Sequence, residues 1–286
     1  MSFSPAQILR GRNCQLDLSR PCIMGVLNVT PDSFFDGGRY ADVTSVVQQG
    51  LTMEDEGAGL LDIGGESTRP GSLPVSVEEE LARVIPVIEG LRHQTDLPIS
   101  IDTNKAEVAA AAVAAGANFI NDISGLRFDP AIVSVVVESG AGLFVMHTSG
   151  RPEVMQQQTD YGHLVDDVIA SLQWSVDTAV SAGIDSQFLA VDPGIGFGKT
   201  AQGNLELLHH LDRLHQLGCP ILLGTSRKSF IGSILGLDDP QERLSGTLAT
   251  IAAGVGQWAQ IFRVHDVRPA RDAALVAWAI REQQLP

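Results

Sequence analysis

Residues 22–29 read CIMGVLNV, an apolar run without alternation that reaches a polar residue at Asn28. Strands buried on both faces read this way, as they do in an all-parallel sheet. Seven more runs share the pattern: LLDIGGE (60–66), PISIDT (98–103), NFINDI (118–123), GLFVMH (142–147), FLAVDP (188–193), PILLGTS (220–226) and QIFRVH (260–265). Stretches of helical character lie between them. Residues 76–95 open on Ser76 with Glu79 three positions later, the pattern of a capping box. Residues 105–115 are rich in alanine, the best helix former. Asp129-Pro130 reads as an N-cap followed by proline at the first helical position. Segments 163–182, 201–217, 240–257 and 266–284 complete the series. Eight strands, each followed by a helix and with no linker-like stretch, predict an α/β fold. The simplest closure is a (β/α)8 TIM barrel in one domain over 1–286, with a short N-terminal extension over residues 1–20. A doubly wound open sheet is the alternative.

The 286 residues match the usual size of such a barrel. The chain carries 34 acidic against 19 basic side chains, a net charge of −15. That excludes a general binder of nucleic acid, which needs a basic surface to displace counterions. It leaves room for an anionic substrate at one local site. Cys14, Cys22 and Cys219 form no CxxC pair, so neither a structural zinc nor a disulfide framework is expected. The opening residues lack a signal-peptide pattern, and no apolar run is long enough to cross a bilayer, so a cytoplasmic protein is expected.

Polar residues gather where the predicted strands end: Asn28, then Glu66 to Arg69, Asp102, Asn121-Asp122, His147, Asp192, Ser226-Arg227-Lys228, and Arg263 with His265-Asp266. Each alone reads as a cap or a satisfied buried group, and Asp122 and Asp266 in particular read as braces. Eight strand ends on one rim read together as a functional site. Two connections on that rim are long and glycine-rich, 28–40 and 65–76.

The run DPGIGFGKT (192–200) ends like a phosphate-binding loop but places Pro193 where the first glycine is required, which argues against a nucleotide. Its glycines suit a close approach of backbone to a flat ligand, with Asp192 as acceptor. Lys228 could form a Schiff base or act as a fixed cation. Arg263 and His265 lie two apart on a strand, hence on one face, and offer cationic or donor groups to an anion. Asp102 and Asp192 are candidate acid, base or ring-recognition groups. Phe34, Phe35 and Phe197 could flank an aromatic substrate in a chain that is only 5% aromatic.

These motifs resemble the dihydropteroate synthase family of pterin-binding barrels. The matching stretches are MGVLNVTPDSFFDGG (24–38), DIGGESTRPG (62–71), SIDTNKAEV (100–108), NFINDISG (118–125), DPGIGFGK (192–199), GTSRKSFIG (224–232) and RVHDV (263–267), in family order over nearly the whole chain. MHTSGRPEVMQ (146–156) is similar to a further family stretch, with Thr148 where methionine is usual. The resemblance implies condensation of 6-hydroxymethyl-7,8-dihydropterin diphosphate with p-aminobenzoate, giving 7,8-dihydropteroate and diphosphate. It implies that Asp102, Asn121, Asp192 and Lys228 bind the pterin, with Asp102, Lys228 and Asp192 at the chemistry. Arg69, Arg263 and His265 would hold the diphosphate, and Asn28 would take part in a Mg2+ site. Thr68, Pro70, Phe34, Phe197 and Ser226 would surround the p-aminobenzoate. The resemblance also implies a homodimer, early departure of diphosphate to leave a cationic pterin methylene, and two loops that order over the site. The acidic excess is expected on the outer helices, in VEEE (77–80) and VDD (165–167). Competing readings are a methyl transferase acting on methyltetrahydrofolate, which should lack the diphosphate groups, a non-catalytic binding paralogue, and a Schiff-base aldolase acting through Lys228.

Overall fold

The computed structural model describes residues 6–29, 39–69 and 71–285. Two short strands open it, β1 (Ile8–Gly11) and β2 (Cys14–Asp17), paired as an antiparallel hairpin. The chain then alternates through β3 (Cys22–Asn28), α1 (Arg39–Asp55), β4 (Leu60–Gly64), α2 (Val77–Arg92), β5 (Ile99–Asp102), α3 (Ala106–Ala115), β6 (Phe119–Asp122) and α4 (Ile132–Ser139). It continues with β7 (Gly142–Met146), α5 (Leu164–Ser181), β8 (Leu189–Asp192), α6 (Ala201–His209), β9 (Leu222–Leu223), α7 (Ser229–Leu235), α8 (Leu244–Gly256), β10 (Ile261–Val264) and α9 (Val267–Glu282). Strands β3 to β10 are parallel, in the order β8-β7-β6-β5-β4-β3-β10-β9. A bridge between Val191 and Ile221 joins the two ends of that order and closes the barrel. Closure decides between the two architectures the sequence left open, in favour of the (β/α)8 barrel. Among the described residues, no helix is long and apolar enough to cross a membrane.

The period of two along each strand positions the site. Met24, Leu60, Phe119, Phe144, Ala190, Leu222 and Ile261 form one apolar layer inside the barrel. Two residues further along each strand stand Val26, Asp62, Asn121, Met146, Asp192, Gly224 and Arg263. One pleat repeat therefore carries the barrel from hydrocarbon to charge.

The hairpin seals the apolar end. Leu9, Leu16 and Leu18, all at most 5% exposed, complete the layer around Phe119 and Phe144. The sequence reading assigned no element to residues 1–20, because two four-residue strands are too short to show a period. The turn signal is also weak: Asn13 alone takes the left-handed conformation, at φ 58°. Gly142 permits the seating, since a Cβ there would come within 2.3 Å of the Phe119 ring and 2.6 Å of the Arg10 carbonyl oxygen.

The helices follow the sequence with local differences. Ser76 caps α2 by accepting from the Glu79 backbone N–H at 3.2 Å, whereas the Glu79 carboxylate turns to Arg83. Helix α4 starts at Ile132, after the expected Asp-Pro start. Asp129 accepts instead from the N–H groups of Ala131 (3.1 Å) and Ala106 (2.7 Å), so it ties the starts of α3 and α4 together. Segments 201–217 and 240–257 each divide into an α-helix and a 3-10 turn, Leu211–Leu217 and Pro240–Arg243. Helix α1 is the expected helix after the first barrel strand, for which the sequence marks no bounds, and α7 is an additional short helix ahead of α8. The acidic run on α2 is not wholly an outer face. Glu80 is 1% exposed and binds Lys105 at 2.5 Å, while Glu78, Glu79, Asp166 and Asp167 do face outward.

Candidate active site

A cleft of about 640 Å3 opens at the C-terminal ends of the strands. Asn28, Thr68, Arg69, Asp102, Asn121, Asp192, Phe197, Ser226, Lys228, Arg263 and His265 all line it. These are all the residues to which the family resemblance gave a site role except Phe34 and Pro70; those two and Phe35 lie outside the described residues.

Its floor is a polar cluster drawn from four strands. Arg263 on β10 donates from Nε to Asp62 Oδ2 (2.6 Å) and from Nη2 to Asp102 Oδ2 (2.7 Å). Asn121 on β6 donates from Nδ2 to the same Asp62 oxygen at 3.0 Å. Burial pushes the Asp102 carboxyl up to about 7; Arg263 pulls it down, and the Asp62 charge adds to the rise. Burial opposes the Arg263 charge, yet Asp62 and Asp102 together hold its pKa above the usual arginine range. Among the described residues, buried Asp102 Oδ1 has no hydrogen-bond partner. Asp192 Oδ1 accepts from the Gly194 N–H at 2.7 Å. Gly224 keeps space open beside Asp192 Oδ2 and Lys228 Nζ: a Cβ there would stand 3.8 and 4.0 Å from them.

The turn that carries Lys228 is strained and braced. Arg227 adopts φ 60°, uncommon for a residue with a side chain. Its backbone N–H donates to Thr247 Oγ1 (3.0 Å), its carbonyl accepts from Arg243 (3.0 Å), and its guanidinium grips Asp266 through both oxygens (2.7 and 3.1 Å). Asp266 is therefore a brace, as its bland reading held. So is Asp122, which accepts from the N–H groups of Ser124 and Leu126 at 2.8 and 2.6 Å. Lys228 Nζ donates to the Ile195 carbonyl and lies 4.6 Å from the centre of the Phe197 ring. Burial brings it down to about 8, against the pull of Asp192.

Ser226 and His265 meet at 2.9 Å through Oγ and Nδ1, and Ser226 Oγ also accepts the His265 N–H at 3.3 Å. The serine hydroxyl can donate to Nδ1 while accepting the backbone N–H, or accept from both; the ring tautomer sets which. Burial, with Arg263 and Arg227 nearby, drives His265 down to about 4. Of the two options the sequence offered, cation or donor, this lowered pKa favours the neutral ring at neutral pH.

Lys199, at the end of the DPGIGFGKT run, has a structural role. Its ammonium turns inward, to His147 Nδ1 (2.8 Å) and the carbonyls of Gly194 and Phe197 (both 2.9 Å). It pegs the loop after β8 to the end of β7, and burial lowers its pKa well below the usual lysine range. Gly194 makes the contact possible, since at φ +68° a Cβ would meet the His147 carbonyl oxygen at 1.9 Å. Burial together with Lys199 pushes His147 down to about 2, so it stays neutral.

Glu66 organises the second loop. It accepts from the Val75 N–H (3.0 Å), nine residues on, and from Lys105 Nζ (2.6 Å), which also binds Glu80. The base of the loop carrying Thr68 and Arg69 is thereby clamped to α2 and to the start of α3.

Sequence reasoning missed Asp62, Lys199 as a peg, and Ser229, which also lines the cleft at the start of α7. A signal for Asp62 was present: an acidic residue inside an otherwise apolar strand must have a buried partner.

The only cofactor implied is Mg2+, through Asn28. Asn28 is exposed at the end of β3 and offers one hard oxygen donor to the cleft. Among the described residues no group of three His, Cys, Asp or Glu side chains could cage a metal. One protein oxygen suits Mg2+ that keeps its waters and arrives with a substrate's phosphates.

Comparison with known proteins agrees with this geometry. Residues 24–265 match the family described as pterin binding enzyme. A dihydropteroate synthase of Synechocystis is 48% identical over 261 residues, covering 91% of this chain and 90% of that protein. A Xanthomonas albilineans dihydropteroate synthase solved with 4-aminobenzoic acid is similar at a TM-score of 0.90 and 46% identity, over 97% of this chain and 100% of that one. A structure from the same organism with 7,8-dihydropteroate gives 0.86 and 44%, over 96% and 100%. The strand-end cluster, the family match and the high identity over nearly full length agree, and the chain belongs to the pterin-binding enzyme family, among the dihydropteroate synthases.

Proposed function

We infer that this chain condenses 6-hydroxymethyl-7,8-dihydropterin diphosphate with p-aminobenzoate to give 7,8-dihydropteroate and diphosphate. One observation carries the reading. Acceptors on Asn121, Asp102 and Asp192 and donors on Lys228 and Arg263 converge at the floor of one cleft. Asn121 turns its amide N–H to Asp62, so its oxygen is left for a ligand, as are Asp102 Oδ1 and Asp192 Oδ2. Three acceptors beside fixed cations fit the N–H-rich edge and the carbonyl of a pterin ring.

The remaining roles follow position. Arg69, exposed on its loop, and His265, a neutral ring at neutral pH, would hold the diphosphate, joined by the Arg263 Nη1 edge. Mg2+ held by Asn28 would neutralise diphosphate charge. The bond between the methylene carbon and the diphosphate oxygen breaks, and its electron pair leaves with diphosphate. Asp102, in its ionised form, would stabilise the cationic methylene. The p-aminobenzoate amine then forms the new C–N bond and releases a proton. Thr68, Phe197 and Ser226 line the part of the cleft that would take that amine, with Pro70 and Phe34 added from the family pattern. The reading includes a cytoplasmic homodimer, which rests on the family resemblance alone.

Chromatography of purified protein with both substrates tests the assignment. A peak of 7,8-dihydropteroate is expected, and its absence under saturating substrates and Mg2+ rejects it.

A further inference from the structure

We propose that Asp62 is a positioning residue of the pterin site, which sets the side-chain amide of Asn121 and the guanidinium of Arg263 in their ligand-binding orientations. The inference rests on the pterin reading above.

Asp62 is 0% exposed and lies one pleat repeat above the apolar layer, beneath the cleft rather than in its lining. It therefore acts on a ligand only through others. Its Oδ2 is a shared acceptor for Asn121 Nδ2 (3.0 Å) and Arg263 Nε (2.6 Å). A carboxylate accepts and never donates, so it dictates which end of the Asn121 amide faces down. The amide oxygen is thus committed to the cleft. Without Asp62 the amide could turn its N–H group upward and present a donor to the N–H groups of the ring. The hold on Arg263 is of the same kind. With Nε on Asp62 and Nη2 on Asp102, the guanidinium plane is fixed across two strands, and Nη1 is the terminal nitrogen left to a ligand. Among the described residues, Asp62 Oδ1 has no partner and the two donors on Oδ2 are the ones that hold the carboxylate.

The test uses the full chain and 6-hydroxymethylpterin as the titrated probe. Asp62→Ala removes the acceptor. Asp62→Asn keeps an oxygen that both donors can reach. Losing a buried acceptor for one charged and one amide donor predicts binding weaker by about tenfold or more for Asp62→Ala. Asp62→Asn should stay within about threefold of the wild type. A double-mutant cycle with Asn121→Ala separates positioning from general structural support. If Asp62 acts through Asn121, Asp62→Ala costs markedly less in the Asn121→Ala background than in the wild type. Equal losses in the two backgrounds overturn the proposal, as does unchanged binding by Asp62→Ala. Failure of both Asp62 variants to fold would make the residue purely structural and overturn it too. A wild-type chain that does not bind the probe would instead reject the pterin reading itself, and this inference with it.

Discussion

Arg263 Nη2 stands 2.7 Å from Asp102 Oδ2, while its Nε stands 2.6 Å from Asp62. One guanidinium therefore serves two buried carboxylates at the floor of the cleft. This relationship sets the electrostatics of the site.

The first consequence is a narrow pH window. Burial raises Asp102 to about 7 and lowers Lys228 to about 8. Raising the pH through 7 ionises Asp102 and switches its acceptor on; raising it past 8 neutralises Lys228 and removes a cation. kcat/KM for the dihydropterin diphosphate should form a bell with limbs near those values. Stability has its own sign. The folded chain keeps a proton on Asp102 between the usual 3.8 and about 7, where the unfolded chain has lost it. Asp102 therefore costs stability as pH rises across that range. Thermal midpoints across that range should fall less steeply for Asp102→Asn than for the wild type; parallel slopes would refute the assignment.

Removing the shared cation should be costly. Arg263→Ala leaves Asp62 and Asp102 as neighbouring buried carboxylates, a loss of about 3–5 kcal/mol. Because both carboxylates belong to the ring end of the cleft, binding of free hydroxymethylpterin should weaken along with that of the diphosphate. Calorimetric titration of both ligands checks this. A loss confined to the diphosphate would make Arg263 a phosphate ligand only.

At the opposite end, Leu9→Ala should remove about 2–5 kcal/mol, because Leu9 is 0% exposed and fills the barrel beneath Phe119 and Phe144. Urea unfolding measures it. KM values should stay near the wild type, since the hairpin touches nothing in the cleft.

Lys105→Met should destabilise by about 3–5 kcal/mol, because Glu80, 1% exposed, loses its partner. It should also loosen the loop that Glu66 clamps. Adding Glu80→Gln should restore part of the stability. Urea unfolding of the single and double variants measures both effects, and strictly additive losses would contradict the clamp.

Much of this site was legible in the chain, because the polar rim residues sit at the ends of apolar runs. Asp102, Asn121, Asp192 and Arg263 each interrupt a hydrophobic stretch, and barrel closure brings such interruptions together. The hairpin at Ile8–Asp17 was not legible, since its strands are shorter than any periodic signal. Asp62 and Lys199 were missed for a different reason. Their importance lies in which groups they touch, and contacts across 201 residues (Asp62 to Arg263) or 52 (Lys199 to His147) leave no local pattern. The state of His265 was also beyond sequence, because burial decides whether it is a cation or a neutral ring.

Diphosphate release reports on the condensation itself. Purified protein is supplied with dihydropterin diphosphate, Mg2+ and p-aminobenzoate, and each component is then omitted in turn. Steady release is expected only when all three are present, in step with formation of dihydropteroate. Release without p-aminobenzoate at a rate comparable to that with it would contradict the condensation.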